Sequence, residues 1–308
     1  MTDSQQHKIR PYARLLTMLG DQLIKNERIA LVELIKNAYD ADSPWVKVSF
    51  INFGEDFKVT PKSKIIIEDA GDGMTFDTIK NHWLNPATPD KKRRKEHKEQ
   101  NNSGRVIQGE KGIGRFAILK LGKKIKIITR AKDEKKEYIV DYDFSIYDDE
   151  FLSENGESKD IFLEDIPVSI LNRNPEAITE KRVDFGNGQL TRPPHGTIIE
   201  ISDLKGTWSE DKTENVYRDI TRLEPIFSEI NNDSYFNTSN KSFEVYMYKD
   251  DKPLTYYQGY QEELKSLIED HCVIRLENGV FEDKNKEFSF TINGVSQKLS
   301  LLDHNKVT

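Results

Sequence analysis

The longest apolar runs in this chain are short, as at Ile65-Ile66-Ile67. They fall far below the roughly 20 residues that a membrane-crossing helix needs, and Lys64 to Glu68 reads instead as a buried strand. Of the 308 residues, 36% are hydrophobic and 32% charged, but 15 Phe, 12 Tyr and 3 Trp supply aromatic mass for a core, which excludes global disorder. A net charge of −7 makes the chain no general polyanion binder, while leaving room for a local basic patch. The single cysteine, Cys272, excludes an intramolecular disulfide framework and a cysteine-rich zinc site. Met1 to Arg10 is polar and lacks the apolar segment of a signal peptide. These features read as a soluble, reduced, cytoplasmic protein.

At about 150 residues per domain the length suggests two domains, and no internal repeat is visible. Tyr12, Leu15, Leu16, Leu19 and Leu23 carry helical spacing over residues 12–25. Residues 27–41 read as a second helix, stopped at Ser43-Pro44 because proline disfavours helix in the residue before it. Val46 to Phe53 alternates as a strand, residues 113–121 look helical, and 123–130 with 137–144 read as a hairpin. Residues 145–194, with Asn, Gly and Pro clusters, read as irregular. Thr197 to Ser202 is a strand, 208–230 is helical at least to Pro225, and Phe243 to Tyr248 alternates again. The polar tail after Asp303 reads as the end of a fragment.

The segment Leu31 to Asp42 carries the first chemical signal. At about 100° per residue, Glu33, Asn37 and Asp40 fall within roughly 60° of one another, while Leu31, Leu34, Ile35 and Ala38 face the other way into a core. An ordinary amphipathic surface helix has this pattern too. The chemistry adds something: a carboxylate and an amide one turn apart can hold a water and a hard cation together. Mg²⁺ takes oxygen ligands and keeps several waters, so one amide oxygen plus substrate phosphates is a workable set.

Two glycine-bearing turns follow. The strand ending in Asp69 runs into Ala70-Gly71-Asp72-Gly73-Met74. Glycine permits positive φ and close approach of a ligand to the backbone, and an aspartate held there can accept a hydrogen bond from an exocyclic amine. A plain glycine-rich turn after a strand is the alternative. Further on, Gly109-Glu110-Lys111-Gly112-Ile113-Gly114-Arg115-Phe116 opens an apolar helical run, presenting N–H groups to phosphate. It is not a Walker loop, because Glu110-Lys111 stands where Lys-Ser/Thr is required. It is not a dinucleotide fingerprint either, because its order is G-x-x-G-x-G. The fourth element is His195-Gly196-Thr197, opening a buried strand.

These four elements in this order resemble the GHKL superfamily: gyrase B, Hsp90, histidine kinases and MutL, with the MORC ATPases close by. The resemblance covers about residues 11–203 and implies an α+β two-layer sandwich, the Bergerat fold, with a mixed sheet covered by helices on one face. It places an ATP-binding domain at 1–205, with a lid at about 74–108 and an irregular insertion at about 145–194. Part of a transducer-like α/β domain follows at 206–308.

Carried over residue by residue, Glu33 is the general base that orients the attacking water and Asn37 the Mg²⁺ ligand. Asp69 receives the adenine amine, with Gly71, Gly73 and Met74 at the base pocket. Gly109, Lys111, Gly112, Ile113, Gly114, Arg115 and Phe116 surround the phosphates. Thr197 supports the adenine end and Asp40 orients neighbours. In the lid, Lys91 of the run Lys91 to Lys95 is a candidate for the γ-phosphate. That run also reads as a solvated loop or a local nucleic-acid contact.

Phosphoryl transfer needs positioning and charge neutralisation more than covalent chemistry, which suits these residue types. The wording of Leu19-Gly20-Asp21 and Ala30 to Asn37 looks most like bacterial Hsp90-like and MORC-like ATPases, often found in DNA maintenance or defence. His7 faintly resembles a kinase phospho-acceptor, but only 30 residues separate it from Asn37. The implied activity is ATP hydrolysis by a lid-closing, dimerising switch. The alternative is a nucleotide-dependent module binding DNA or a client protein with negligible hydrolysis.

Overall fold

The computed structural model describes residues 8–85, 117–185, 189–221, 243–256, 266, 270–271, 273–274 and 276–300. In chain order the first part runs α1 (Arg14–Leu23), α2 (Glu27–Asp40), β1 (Trp45–Ile51) and β2 (Lys64–Asp69). A short helical turn (Phe76–Thr78) continues into a π-turn (Ile79–Trp83). Then come α3 (Ala117–Leu121), β3 (Gly122–Arg130), β4 (Glu137–Asp143), the two-residue strands β5 (Ser153–Glu154) and β6 (Glu157–Ser158), and β7 (Ser169–Arg173). They are followed by β8 (Lys181–Asp184), β9 (Gln189–Arg192), β10 (Gly196–Leu204), α4 (Glu210–Thr221), β11 (Glu244–Lys249) and β12 (Lys252–Pro253).

Among the described residues eight strands form one sheet, in the order β12-β11-β1-β2-β10-β3-β4-β7. The β1–β11 pair is parallel and the other pairs are antiparallel, so the sheet is mixed. Laterally paired residues share a face, and the registers give two apolar rows across the sheet. One is Val48, Ile67, Ile199, Ile127 and Val140; the other is Phe50, Ile65, Ile201, Ile125 and Tyr142. Val48, Phe50, Ile65 and Ile127 are fully enclosed. Helix α2 packs on β1 and β2, and α3 on β3 and β10. The result is the expected α+β sandwich, with its core between helices and sheet.

Helix α2 starts where Asn26 accepts the Ile29 N–H, a side-chain cap for a donor the helix leaves unpaired. Its buried residues are Ala30, Leu31, Val32, Leu34, Ile35, Ala38 and Tyr39, the apolar face read from the spacing.

Two sequence expectations differ from the structure. The irregular stretch 145–194 contains β7, the edge strand beside β4, and the β8–β9 hairpin. Phe185, directly after β8, stacks on Tyr246 with centroids 4.0 Å apart and meets Trp45 edge-on. The boundary expected after residue 205 also shifts. The chain's contacts divide it into Met1–Thr255 and Tyr256–Thr308, because β11 pairs in parallel with β1 and so belongs to the main sheet.

The second unit contains an antiparallel meander, β13 (Leu276–Glu282), β14 (Glu287–Ile292) and β15 (Val295–Ser300). Asn293 and Gly294, both at positive φ, turn the second hairpin.

Candidate functional site

At one end of the sheet the apolar pattern breaks. The third row on the core face is Val46, Asp69, Thr197 and Thr129. Asp69, Thr197 and Thr129 are all buried. Three adjacent polar side chains in an otherwise apolar layer are costly unless their hydrogen bonds are met, and here they are tied together. Thr129 Oγ1 donates to the Gly196 carbonyl at 3.1 Å, accepts the Met74 N–H at 2.9 Å and lies 3.1 Å from Thr197 Oγ1. A hydroxyl has one proton, so once Gly196 takes it the Thr197 hydroxyl is the donor of that pair.

Asp69 ends β2 inside this row. Its Oδ1 accepts the Gly71 N–H at 2.8 Å. Burial pushes its pKa from 3.8 up to about 7, against the pull of the Gly71 and Thr197 backbone and the Arg192 charge. A carboxyl held near neutrality by burial beside a tightly built glycine turn marks Asp69 as a candidate functional residue.

The turn after Asp69 is bound to the end of α2. Asp72 N–H donates to the Ala41 carbonyl at 2.8 Å. A Cβ on Gly71 would stand 2.6 Å from that same oxygen, and Gly73, at φ +67°, would place one 2.0 Å from the Arg130 carbonyl oxygen. Neither position admits a side chain. Buried Ser43 completes the junction, accepting the Ala70 N–H at 2.9 Å and donating to the Trp45 carbonyl.

Along α2, Glu33, Asn37 and Asp40 are half-buried on the polar stripe. Lys36 donates to Glu33 Oε1 at 2.8 Å. The structure therefore brings together the end of α2, the Asp69 turn and the start of β10. Met74 joins them through its N–H. Lys91, Gly109, Lys111, Gly112, Ile113, Gly114, Arg115 and Phe116, together with lid residues 86–108, lie outside the described residues. Among the described residues no cluster of three or more His, Cys, Asp or Glu forms a metal cage.

Sequence reasoning passed over Thr129, whose signal is its phase: Ile125, Ile127 and Thr129 alternate inward. It also passed over Lys36 as partner of Glu33, and over the charge behind the site. Arg192, fully enclosed on β9, sits 2.8 Å from Glu68 Oε1 and donates to the Ala177 carbonyl at 3.2 Å. Enclosed Glu137 accepts from Arg173 Nε at 2.6 Å and from the Ala177 and Ile178 N–H groups. These two charges hold segment 177–178 from opposite sides.

The structure thus combines a sheet with helices on one face, a buried aspartate entering a glycine turn and a helix with an acid–amide stripe. Residues 25–165 match the family described as "Histidine kinase-, DNA gyrase B-, and HSP90-like ATPase", and this part of the chain is similar to that family. No curated protein matches the chain. Among the described residues no helix is long and apolar enough to cross a membrane.

Proposed function

We propose that this protein binds Mg-ATP in the space bounded by the α2 stripe and the Asp69 turn, and hydrolyses it slowly as a molecular switch. The observation that carries the reading is the polar row Asp69–Thr197–Thr129. A flat base edge fits such a row, because the glycine turn brings backbone close without side chains in the way. Asp69 accepts the adenine amine. Thr197 donates its proton to Thr129 and keeps its lone pairs for that same edge.

Asn37 would hold Mg²⁺ through its amide oxygen, with waters and substrate phosphates completing the shell; the metal would supply charge neutralisation of the phosphates. Glu33, one turn earlier, takes the proton of the attacking water as general base. Lys36 holds Glu33 Oε1, which leaves Oε2 for that water. Asp40 orients the neighbouring polar groups. Gly109, Lys111, Gly112, Ile113, Gly114, Arg115 and Phe116 would cradle the phosphates, and Lys91 would meet the γ-phosphate. Lid closure would then set the rate and promote dimerisation.

The test is equilibrium titration with ATP and GTP. GTP carries an oxygen where ATP carries the amine, and a site built to receive a hydrogen bond rejects such an analogue strongly. ATP binding with GTP at least about thirtyfold weaker, and loss of ATP binding in Asp69→Asn, is the expected result. Equal affinity for both nucleotides contradicts the reading.

The basic run Lys91 to Lys95 favours a second reading, a binding module for DNA or a client protein with negligible hydrolysis. Salt-titrated DNA binding separates the two, since phosphate contacts weaken as salt rises.

A further inference from the structure

Gly71, two residues past Asp69 at the end of β2, is held through both of its backbone polar groups. Gly71 N–H donates to Asp69 Oδ1 at 2.8 Å, and the Gly71 carbonyl lies 2.7 Å from His195 Nδ1. A carbonyl oxygen only accepts, so Nδ1 carries the proton of this bond. On a third side Gly71 abuts the Ala41 carbonyl at the end of α2, where even a Cβ would collide. His195 comes from the residue before Gly196, where β10 begins, and the next pair of that strand sets Thr197 opposite Asp69. One short segment therefore supplies both the lateral neighbour of the aspartate and a clamp on the glycine whose N–H meets it.

The geometry points to His195 as a positioning residue: together with the Asp72 N–H bond to Ala41 it fixes the Gly71–Asp72 peptide, and with it the position of Gly71, whose own N–H holds the Asp69 carboxylate in the orientation that receives the adenine amine. This rests on the reading of Asp69 given above. Without His195 the Gly71 carbonyl loses its partner, the Gly71–Asp72 peptide is held by the Asp72 N–H alone, and Gly71 can shift so that its own N–H no longer directs Oδ1. The loss falls on the amine contact rather than on the triphosphate, which binds elsewhere on the domain.

The test uses the full chain and two ligands, ATP and purine riboside triphosphate, which lacks the 6-amine. His195→Ala and His195→Asp, the second placing an acceptor against a carbonyl, are each expected to weaken ATP binding about tenfold, the ratio for one hydrogen bond of ordinary strength. Binding of the analogue should change less than about twofold on the same grounds. His195→Asn, nearly isosteric with Asp but able to donate, should restore ATP affinity to within about threefold. Because Asn and Asp match in shape, this comparison stands even if the Ala variant folds poorly. Equal weakening of both ligands, or Asn behaving like Asp, overturns the inference. Wild-type protein that binds ATP and the analogue alike overturns the reading of Asp69 itself, so the two failures are distinguishable.

Discussion

Replacing Asp69 with asparagine separates stability from function at one atom. Burial pushes the Asp69 pKa from 3.8 to about 7. Between those values the folded chain binds a proton there that the unfolded chain does not, so stability is fully present below about pH 4 and is lost as pH rises through about 7. The gap of about three pH units corresponds to about 4 kcal/mol, at about 1.4 kcal/mol per unit. Between pH 5 and pH 8 it amounts to about 2–3 kcal/mol. The asparagine side chain keeps an oxygen to accept the Gly71 N–H, but it carries no charge to desolvate.

Urea unfolding of wild type and Asp69→Asn at half-unit steps of pH measures the difference directly. The variant's stability relative to wild type should rise by about 2–3 kcal/mol from pH 5 to pH 8 and level off above about pH 7, while nucleotide binding is lost. A difference that does not vary with pH refutes the argument, because it would mean that Asp69 is not held protonated in the fold.

The same pKa sets ligand affinity. As the proposed acceptor of the adenine amine, Asp69 would bind best when ionised, so ATP affinity should fall about tenfold from pH 8 to pH 6, read by calorimetric titration; a flat profile contradicts it. Gly73→Ala puts a Cβ into the Arg130 carbonyl at a positive φ and should cost about 2–4 kcal/mol; an unchanged melting temperature would show that the turn is not strained. Thr129→Val removes the hydroxyl shared by Met74, Gly196 and Thr197, and should cost about 2–3 kcal/mol with weakened ATP binding. Thr129→Ser should restore most of both, and failure of that rescue would place the effect in packing.

Legibility in the sequence followed locality. The α2 stripe was readable because helical period puts Glu33, Asn37 and Asp40 on one side of a single helix. The Asp69 turn was readable because an apolar run meets two glycines at once. What escaped depends on partners far along the chain. Phe243 to Tyr248 reads as a strand, but nothing local shows that its residues pair with Trp45 to Phe50, far earlier in the chain. Edge strand β7 has mostly exposed side chains, so it lacks the alternation of a half-buried strand. Thr129 and His195 acquire their meaning only when β3, β10 and the glycine turn are side by side.

The central claim is that this site hydrolyses ATP with Glu33 as the base. Phosphate release and ATP affinity, measured on the same preparations of wild type and Glu33→Ala with Mg²⁺ present, test it most directly. The account predicts ATP affinity within about threefold between the two, and turnover at least about a hundredfold lower in the variant, the range for removal of a general base. Equal, robust phosphate release by both proteins would contradict it.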